Sequence, residues 1–486
     1  MNSIARLWLG FTALMIGFLS VQAAEQKWEK SVVTVEVTYK DFDFFQPWTT
    51  PTRSIRKHGL VVGEREILTT AQHLPTETLI RLQKGGRGKW YSGKVTWLDP
   101  QADLALITSE DATFWEGLKP AELAEVVPSA PDFTLIRWRD GNFESRRVEF
   151  SKFSVKDGAL SYAPRLTLEL NTELTGLGWA EPVLLDGKVA GLTTSKSGNT
   201  CNVVPAPFIR GVLEAQRAGK YRGLGYFDFT WQPGENPTTL KFLKLEGPER
   251  GAVVIKVPKR PGVEPVLKAR DILLEVDGFP VDVEGDYLDP DYGHLLLENL
   301  SSRGKFAGDT VVLKVWRDGK EVTVNYVLPQ AKYDDELVPR EVFDHPPEYV
   351  VAGGLVFQQL EQPFLRGWGE DWRRRAPFRL QHYQNDQPTP ERPSLVMLSS
   401  VLPDPVNVGY QDVRMLIVDQ INGRKIATLA DVVAALKEPK DGVQRIQFMK
   451  GDTLQTILLD AATLDEATQR VLKRYGLPAE KRLGKS

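Results

Sequence analysis

Leu68-Thr69-Thr70-Ala71-Gln72-His73 reads as a short apolar strand that breaks into a turn ending on a histidine. Two later stretches have the same strand-and-turn character. Asp99-Pro100-Gln101-Ala102-Asp103-Leu104-Ala105-Leu106-Ile107 sets an aspartate at the head of a compact apolar run. Leu177-Gly178-Trp179-Ala180-Glu181-Pro182-Val183-Leu184 enters a hairpin that turns at Asp186-Gly187. A histidine followed by an aspartate suits proton transfer: the carboxylate holds one ring nitrogen so that the other can act as base. The surrounding residues form short apolar or alternating runs, Val32 to Val37, Gly59 to Gly63, Leu166 to Leu170 and Val183 to Leu192. No helical period appears before Pro207 to Ala218, and many short strands predict barrels or sandwiches.

At 486 residues the chain exceeds one hydrophobic core. Its 42% hydrophobic and 26% charged content is that of globular domains, and a net charge of -3 gives no global field for nucleic acid or an anionic membrane. Cys201 is the single cysteine, so an intrachain disulfide is excluded; it reads as a core thiol. The five histidines are scattered, with no metal-ligand spacing, and no glycine-rich phosphate cradle occurs, so neither a metal nor a cofactor is indicated. Arg6 followed by the apolar run Leu7 to Val21 and small residues at Ala23 and Ala24 reads as a cleaved signal peptide. The expectation is an exported protein, periplasmic in a Gram-negative cell, with no later membrane span.

Beyond residue 218 the pattern becomes a compact unit that is used twice. Ala252-Val253-Val254-Ile255, the strand and turn ending at Asp277-Gly278, and the hairpin Val311 to Val322 make the first copy. Ser394 to Leu398, the strand and turn ending at Asn422-Gly423, a helix over Leu429 to Leu436 and the strand Arg445 to Phe448 make the second. The predicted division is a leader at 1–24, a first domain at 25–218, modules at 219–331 and 347–486, and a linker at 332–346. A final helix is expected over Leu464 to Leu477.

These stretches resemble the HtrA/Deg family, in which a trypsin-like protease domain precedes two PDZ domains, and are most similar to its plant-type members. The resemblance implies a mainly β chain: a chymotrypsin-like double β-barrel followed by two PDZ domains. It makes His73 the general base and Asp103 the aspartate of the triad. The family's nucleophile segment reads Gly-Asn-Ser-Gly-Gly-Pro; anchored on Pro182, this chain places Trp179 where the serine belongs. The oxyanion-loop positions become Leu177, Gly178 and Ala180, with Glu181 at the next glycine. Indole offers no hydroxyl or thiol, so no acyl-enzyme can form on it. The nearest hydroxyls are Thr175, Thr193, Thr194 and Ser195.

The resemblance also implies peptide binding by strand addition beside a loop whose backbone N–H groups hold a carboxylate. In the first module that loop is Gly223-Leu224-Gly225-Tyr226, or else Phe227-Asp228-Phe229, counted back from Trp231-Gln232 and Glu235-Asn236-Pro237. In the second register Asp228 would repel a carboxylate. In the second module, Gly353, Gly354, Leu355, Val356 and Phe357 form the matching loop and strand. The resemblance assigns that module to oligomer contacts. Arg373-Arg374-Arg375 reads as a solvated loop or as a docking patch for an acidic partner. Three functions remain open from the sequence. They are an inactive peptide-binding scaffold, chaperone or regulator; a serine endopeptidase with a displaced nucleophile; and a self-associating structural component.

Overall fold

Alternating apolar residues close two barrels in succession. In the computed structural model residues 28–484 are described, except 159, 162, 259–263, 333–335, 341–344, 370 and 451–455. The leader at 1–24 and part of the linker at 332–346 lie outside the described residues.

The first barrel contains β1 (Val32–Lys40), β2 (Thr52–Gly63), β3 (Glu66–Thr69), β4 (Glu77–Lys84), β5 (Tyr91–Asp99) and β6 (Leu104–Thr108). They close in the order β1-β2-β3-β6-β5-β4. Val33, Val35, Val37, Ile67, Leu82 and Ile107 fill it. The second contains β7 (Asp132–Arg139), β8 (Asn142–Lys156), β9 (Arg165–Asn171), β10 (Pro182–Leu185), β11 (Lys188–Ser197) and β12 (Thr200–Pro205), closed as β10-β11-β12-β9-β8-β7. Phe133, Leu135, Leu168, Val183 and Val203 pack there around Cys201, whose thiol burial pushes up to about 12. Helix α1 (Ala206–Arg217) follows, its Ile209, Val212 and Leu213 buried.

The next module is a sheet ordered β13-β14-β15-β19-β20, with β16 beside β15 and β17 paired to β18. The strands are β13 (Thr230–Pro233), β14 (Ala252–Lys256), β15 (Ile272–Val276), β16 (Phe279–Pro280), β17 (Asp286–Asp289), β18 (Gly293–Leu296), β19 (Thr310–Arg317) and β20 (Lys320–Val327). A five-residue 3-10 turn over Leu297–Ser301 precedes β19. Barrels and module form one unit, Ser54–Ala331 with the strand ending at Tyr39.

The other unit combines Lys332–Ser486 with the segment Lys40–Arg53 that joins β1 to β2. Its sheet runs β27-β26-β24-β23-β22-β21-β28, with β25 beside β24. These are β21 (Tyr349–Ala352), β22 (Leu355–Gln359), β23 (Val396–Val401), β24 (Leu416–Ile421), β25 (Arg424–Lys425), β26 (Val443–Phe448), β27 (Thr456–Asp460) and β28 (Lys481–Arg482). Helix α2 (Leu429–Leu436) begins at a capping box between Thr428 and Asp431, and α3 (Leu464–Tyr475) ends on Gly476 at φ 66°. The repeat read from the sequence is a repeat of topology: β14, β15, β19 and β20 pair in the same antiparallel succession as β23, β24, β26 and β27.

Candidate functional site

Asp103 enters β6 at φ 54° and is wholly buried. Its Oδ1 accepts the Ala71 N–H at 2.9 Å and its Oδ2 accepts from Gln72 Nε2 at 2.7 Å. Arg165 Nη2 stands 3.8 Å away. Lys57, also fully buried, donates from Nζ to the carbonyls of Thr70 and Gln72, the latter at 3.1 Å. The partner that the resemblance expects from His73 is thus supplied by Gln72. His73, at φ 64°, sends its ring to Tyr39 at 4.3 Å between centroids and to Trp179 at 5.2 Å. Adjacent residues on this turn project apart, and the carboxylate receives the glutamine. A glutamine amide donates to the carboxylate as an imidazole N–H would, but it has no basic nitrogen with which to take a proton.

Burial dominates the titration of this cluster. It pushes Asp103 up to about 6, against the pull of the Arg165 and Lys57 charges, and pushes Lys57 down to about 7, against the pull of Asp103. The Lys57 contribution to stability is present above its ordinary 10.5 and lost as pH falls through about 7; that of Asp103 is present below its ordinary 3.8 and lost as pH rises through about 6. Relative to a Lys57→Met/Asp103→Asn variant, wild-type stability is expected to be lowest between those two values, about 6 and about 7. Guanidinium midpoints measured across this range test it, and a pH-independent difference between the two proteins overturns it.

The turn before β10 is built around its departures from the nucleophile motif. Trp179 is half-buried, and its carbonyl accepts the His58 N–H at 3.0 Å. Ala180, at φ 64°, donates its N–H to Thr193 O at 2.8 Å. The Glu181 side chain is buried under the turn: Oε1 accepts the Gly178 N–H at 2.5 Å, Oε2 accepts the Thr193 hydroxyl, and Arg137 Nη1 lies 4.0 Å away. An acid of the chain itself therefore engages the loop that the resemblance reads as the oxyanion loop. Leu177 packs against the second barrel's core. The candidate hydroxyls are engaged elsewhere. Thr193 Oγ1 also accepts from Glu181 N at 2.9 Å, Thr194 donates to Asn202 O at 3.3 Å, and Ser195 Oγ accepts from Asn202 Nδ2 at 2.9 Å. Thr175 is exposed on the loop.

Gln72, Lys57, Arg165 and His58 were not singled out in the sequence. The signal was available for two of them: Lys57-His58 interrupts a strand whose next residues are buried and apolar, where inward-facing charge is rare.

In each PDZ-like loop one of the expected backbone N–H groups, that of Asp228 and that of Gly353, is bonded within the chain. In the first module the loop entering β13 is Tyr226 to Phe229, whereas Gly225 pairs with Gln330 and Gly223 turns at φ 87°. Of the two registers, Phe227-Asp228-Phe229 adjoins the strand. The Asp228 N–H donates to Tyr326 Oη at 3.3 Å, and the phenol donates to the Asp228 carboxylate. Phe227 and Phe229 pack on the same tyrosine at 5.8 and 5.6 Å. Trp231 Nε1 donates to Glu298 Oε1 at 2.8 Å, its ring lying where a Cβ on Gly285 would be 2.2 Å from it.

In the second module Gly353 and Gly354 form the turn from β21 to β22. Gly353 N donates to Thr468 Oγ1 at 2.8 Å, and its carbonyl accepts from Asn407 Nδ2 at 2.7 Å. Leu355, Val356 and Phe357 are core residues of β22, and β21 lies along that strand with Val350 opposite Phe357. β28 in turn covers β21. The edge expected to receive a peptide is filled by the chain itself.

Two closed six-stranded barrels, an Asp103 site between strand and turn, and PDZ-type modules define a serine-protease-like chain of the double-barrel class. A PDZ-domain family model matches residues 338–482. The mitochondrial Do-like 3 protein of Arabidopsis thaliana is 26% identical over 458 residues, covering 92% of this chain and 79% of that protein. Protease Do-like 2, chloroplastic, from the same plant is 25% identical over 467 residues, covering 93% and 74%. Among solved structures, an HtrA-type protease AlgW with tripeptide is 16% identical at a TM-score of 0.47, covering 63% of this chain and 95% of its own. The sequence matches and the PDZ domain support a likeness to the HtrA/Deg family, and within it to plant-type members. Among the described residues no helix is long and apolar enough to cross a membrane.

Proposed function

We propose that this chain is a catalytically inactive HtrA/Deg-type protein that is exported and acts on protein partners as a scaffold or regulator. The observation that carries the reading is the pair of replacements at the core of the former triad. Gln72 donates to Asp103 where a base is needed, and Trp179 stands where a nucleophile is needed. The absent nucleophile by itself stops acyl transfer, and the Gln72 bond takes up a carboxylate oxygen that would orient a base. The two PDZ-type modules remain, but their loops and the β22 edge have intrachain partners. Partners are therefore engaged through surfaces other than carboxylate capture, or by displacing β21, and self-association belongs to the same reading.

A fluorophosphonate probe is expected to leave the purified protein unlabelled. Labelling that disappears in Thr193→Ala or Ser195→Ala restores the endopeptidase. Peptides with free and amidated C-termini are expected to bind wild type alike, whereas Asp228→Gly, which removes the loop's negative charge, gains affinity for the free carboxylate. A tenfold preference of wild type for free carboxylates sinks the binding half of the proposal.

A further inference from the structure

The chain between β22 and β23 carries two one-turn helices, Trp372–Arg375 and Phe378–Gln381, and then a 3-10 turn at His382–Asn385. Trp372, Ala376 and Leu380, spaced four apart, are buried in one cluster with Phe364, Leu395 and Ile417. Gln381 Nε2 donates to Trp372 O at 3.3 Å and to Ala376 O, which ties the two turns together, and Leu380 N donates to Pro377 O at 2.9 Å. The buried row decides which residues are left outside.

Those residues are cationic, with one aromatic side chain among them. Arg373, Arg374, Arg375 and Arg379 are exposed, and none of the four has an ion-pair partner among the described residues. From Trp372 to Asn385 the sequence contains no acidic residue. Arg373 rests over the Trp372 ring at 4.8 Å. Phe378 follows three of the arginines and precedes the fourth. It is 80% exposed, more than any other large apolar side chain among the described residues, and the His382 ring stacks on it at 5.9 Å between centroids.

Unpaired guanidiniums attract anions locally, although the net charge of -3 gives the whole chain no such field. An acidic protein chain and an anionic bilayer both offer that charge, and the phenyl ring separates them. Carboxylates take the guanidiniums and leave Phe378 in water. A bilayer surface takes both: phosphates meet the guanidinium forks, and the ring enters the boundary between headgroups and acyl chains. Four arginines within seven residues reach the lower end of the basic clusters that hold proteins on anionic lipid, about four to eight residues. We propose that residues 372–382 are a peripheral docking site for a lipid surface bearing anionic phosphate headgroups, with Phe378 as its apolar wedge. The site lies wholly within the unit Lys332–Ser486 and asks nothing of the triad positions.

Vesicle cosedimentation of residues 25–486 tests this; omitting the leader keeps the apolar run Leu7 to Val21 from entering the bilayer itself. At about 0.1 M salt, where charges act over about 10 Å, wild type is expected to pellet with vesicles of about one-third phosphatidylglycerol in phosphatidylcholine. It is expected to stay in solution with phosphatidylcholine alone. Arg374→Gln/Arg375→Gln/Arg379→Gln, which spares Arg373 on its tryptophan, is expected to lower vesicle affinity about a hundredfold. Phe378→Ser keeps every charge and is expected to lower it about tenfold. All four altered side chains are exposed, so the fold does not depend on them. No pelleting of wild type with the anionic vesicles, or full affinity in the arginine variant, overturns the site. Loss in the arginine variant with full affinity in Phe378→Ser shows charge acting alone, as an acidic protein chain uses it, and overturns the lipid assignment.

Discussion

Purified protein is expected to leave casein and other unfolded substrates intact, and Trp179→Ser alone is expected to change nothing. Restoring the hydroxyl leaves Gln72 on the Asp103 carboxylate and Glu181 on the loop N–H of Gly178, so neither the orientation of a base nor an open oxyanion loop is restored with it. In serine proteases the members of the triad act as a unit, and loss of nucleophile or base costs about 10⁶ in kcat. Gln72→His/Trp179→Ser is expected to stay below detection as well, since the Glu181 carboxylate still holds the Gly178 N–H and Thr193. A His73→Ala control is expected to behave as its parent. Turnover by wild type that a serine-directed inhibitor stops rejects the inactive reading outright. Turnover by the double variant shows instead that the oxyanion loop is more permissive than its contacts imply.

Asp103→Ala is expected to destabilise the unit bearing the barrels by about 3–5 kcal/mol, the usual cost of removing one member of a buried charge cluster. The loss has nothing to do with catalysis. It leaves the buried Arg165 guanidinium, the Gln72 amide and the Ala71 N–H without their carboxylate and removes the charge that holds Lys57 up. Gln72→Ala removes one hydrogen bond from the same carboxylate and is expected to cost about 1–3 kcal/mol. Denaturant midpoints give both values. An Asp103→Ala loss no larger than that of Gln72→Ala shows the cluster to be stabilised elsewhere.

Strand content, the Cys201 core thiol and the repeated module were legible because each rests on local pattern: apolar runs, Asp-Gly and Asn-Gly turns, and their succession. The assignment of Trp179 to the serine position rests on Pro182 as the anchor of its register. The partner of Asp103 was not, since Gln72 and His73 are neighbours and only the backbone of the turn decides which one faces the carboxylate. Histidine drew the assignment because its chemistry fits; the geometry gives the place to glutamine. The closed PDZ-type loops were illegible for a different reason. Tyr326 lies about a hundred residues from Asp228, and Thr468 more than a hundred from Gly353. No local pattern reports partners at such separations. The place of segment 40–53 stayed hidden for the same cause, its aromatic residues reading as an ordinary loop until Phe364 and Trp368 stand opposite Phe45.

The carboxylate of Glu181 beneath the turn has an evolutionary consequence. A dismantled enzyme regains activity by descent only if each intermediate is at least tolerated. Here glycine at 181 would strip partners from Gly178 and Thr193 before any catalytic gain, while serine at 179 or histidine at 72 alone brings none. On the proposed inactive reading, proteolysis would need changes at 72, 179 and 181 together, and the Glu181 contacts to Gly178 and Thr193 oppose the last of these.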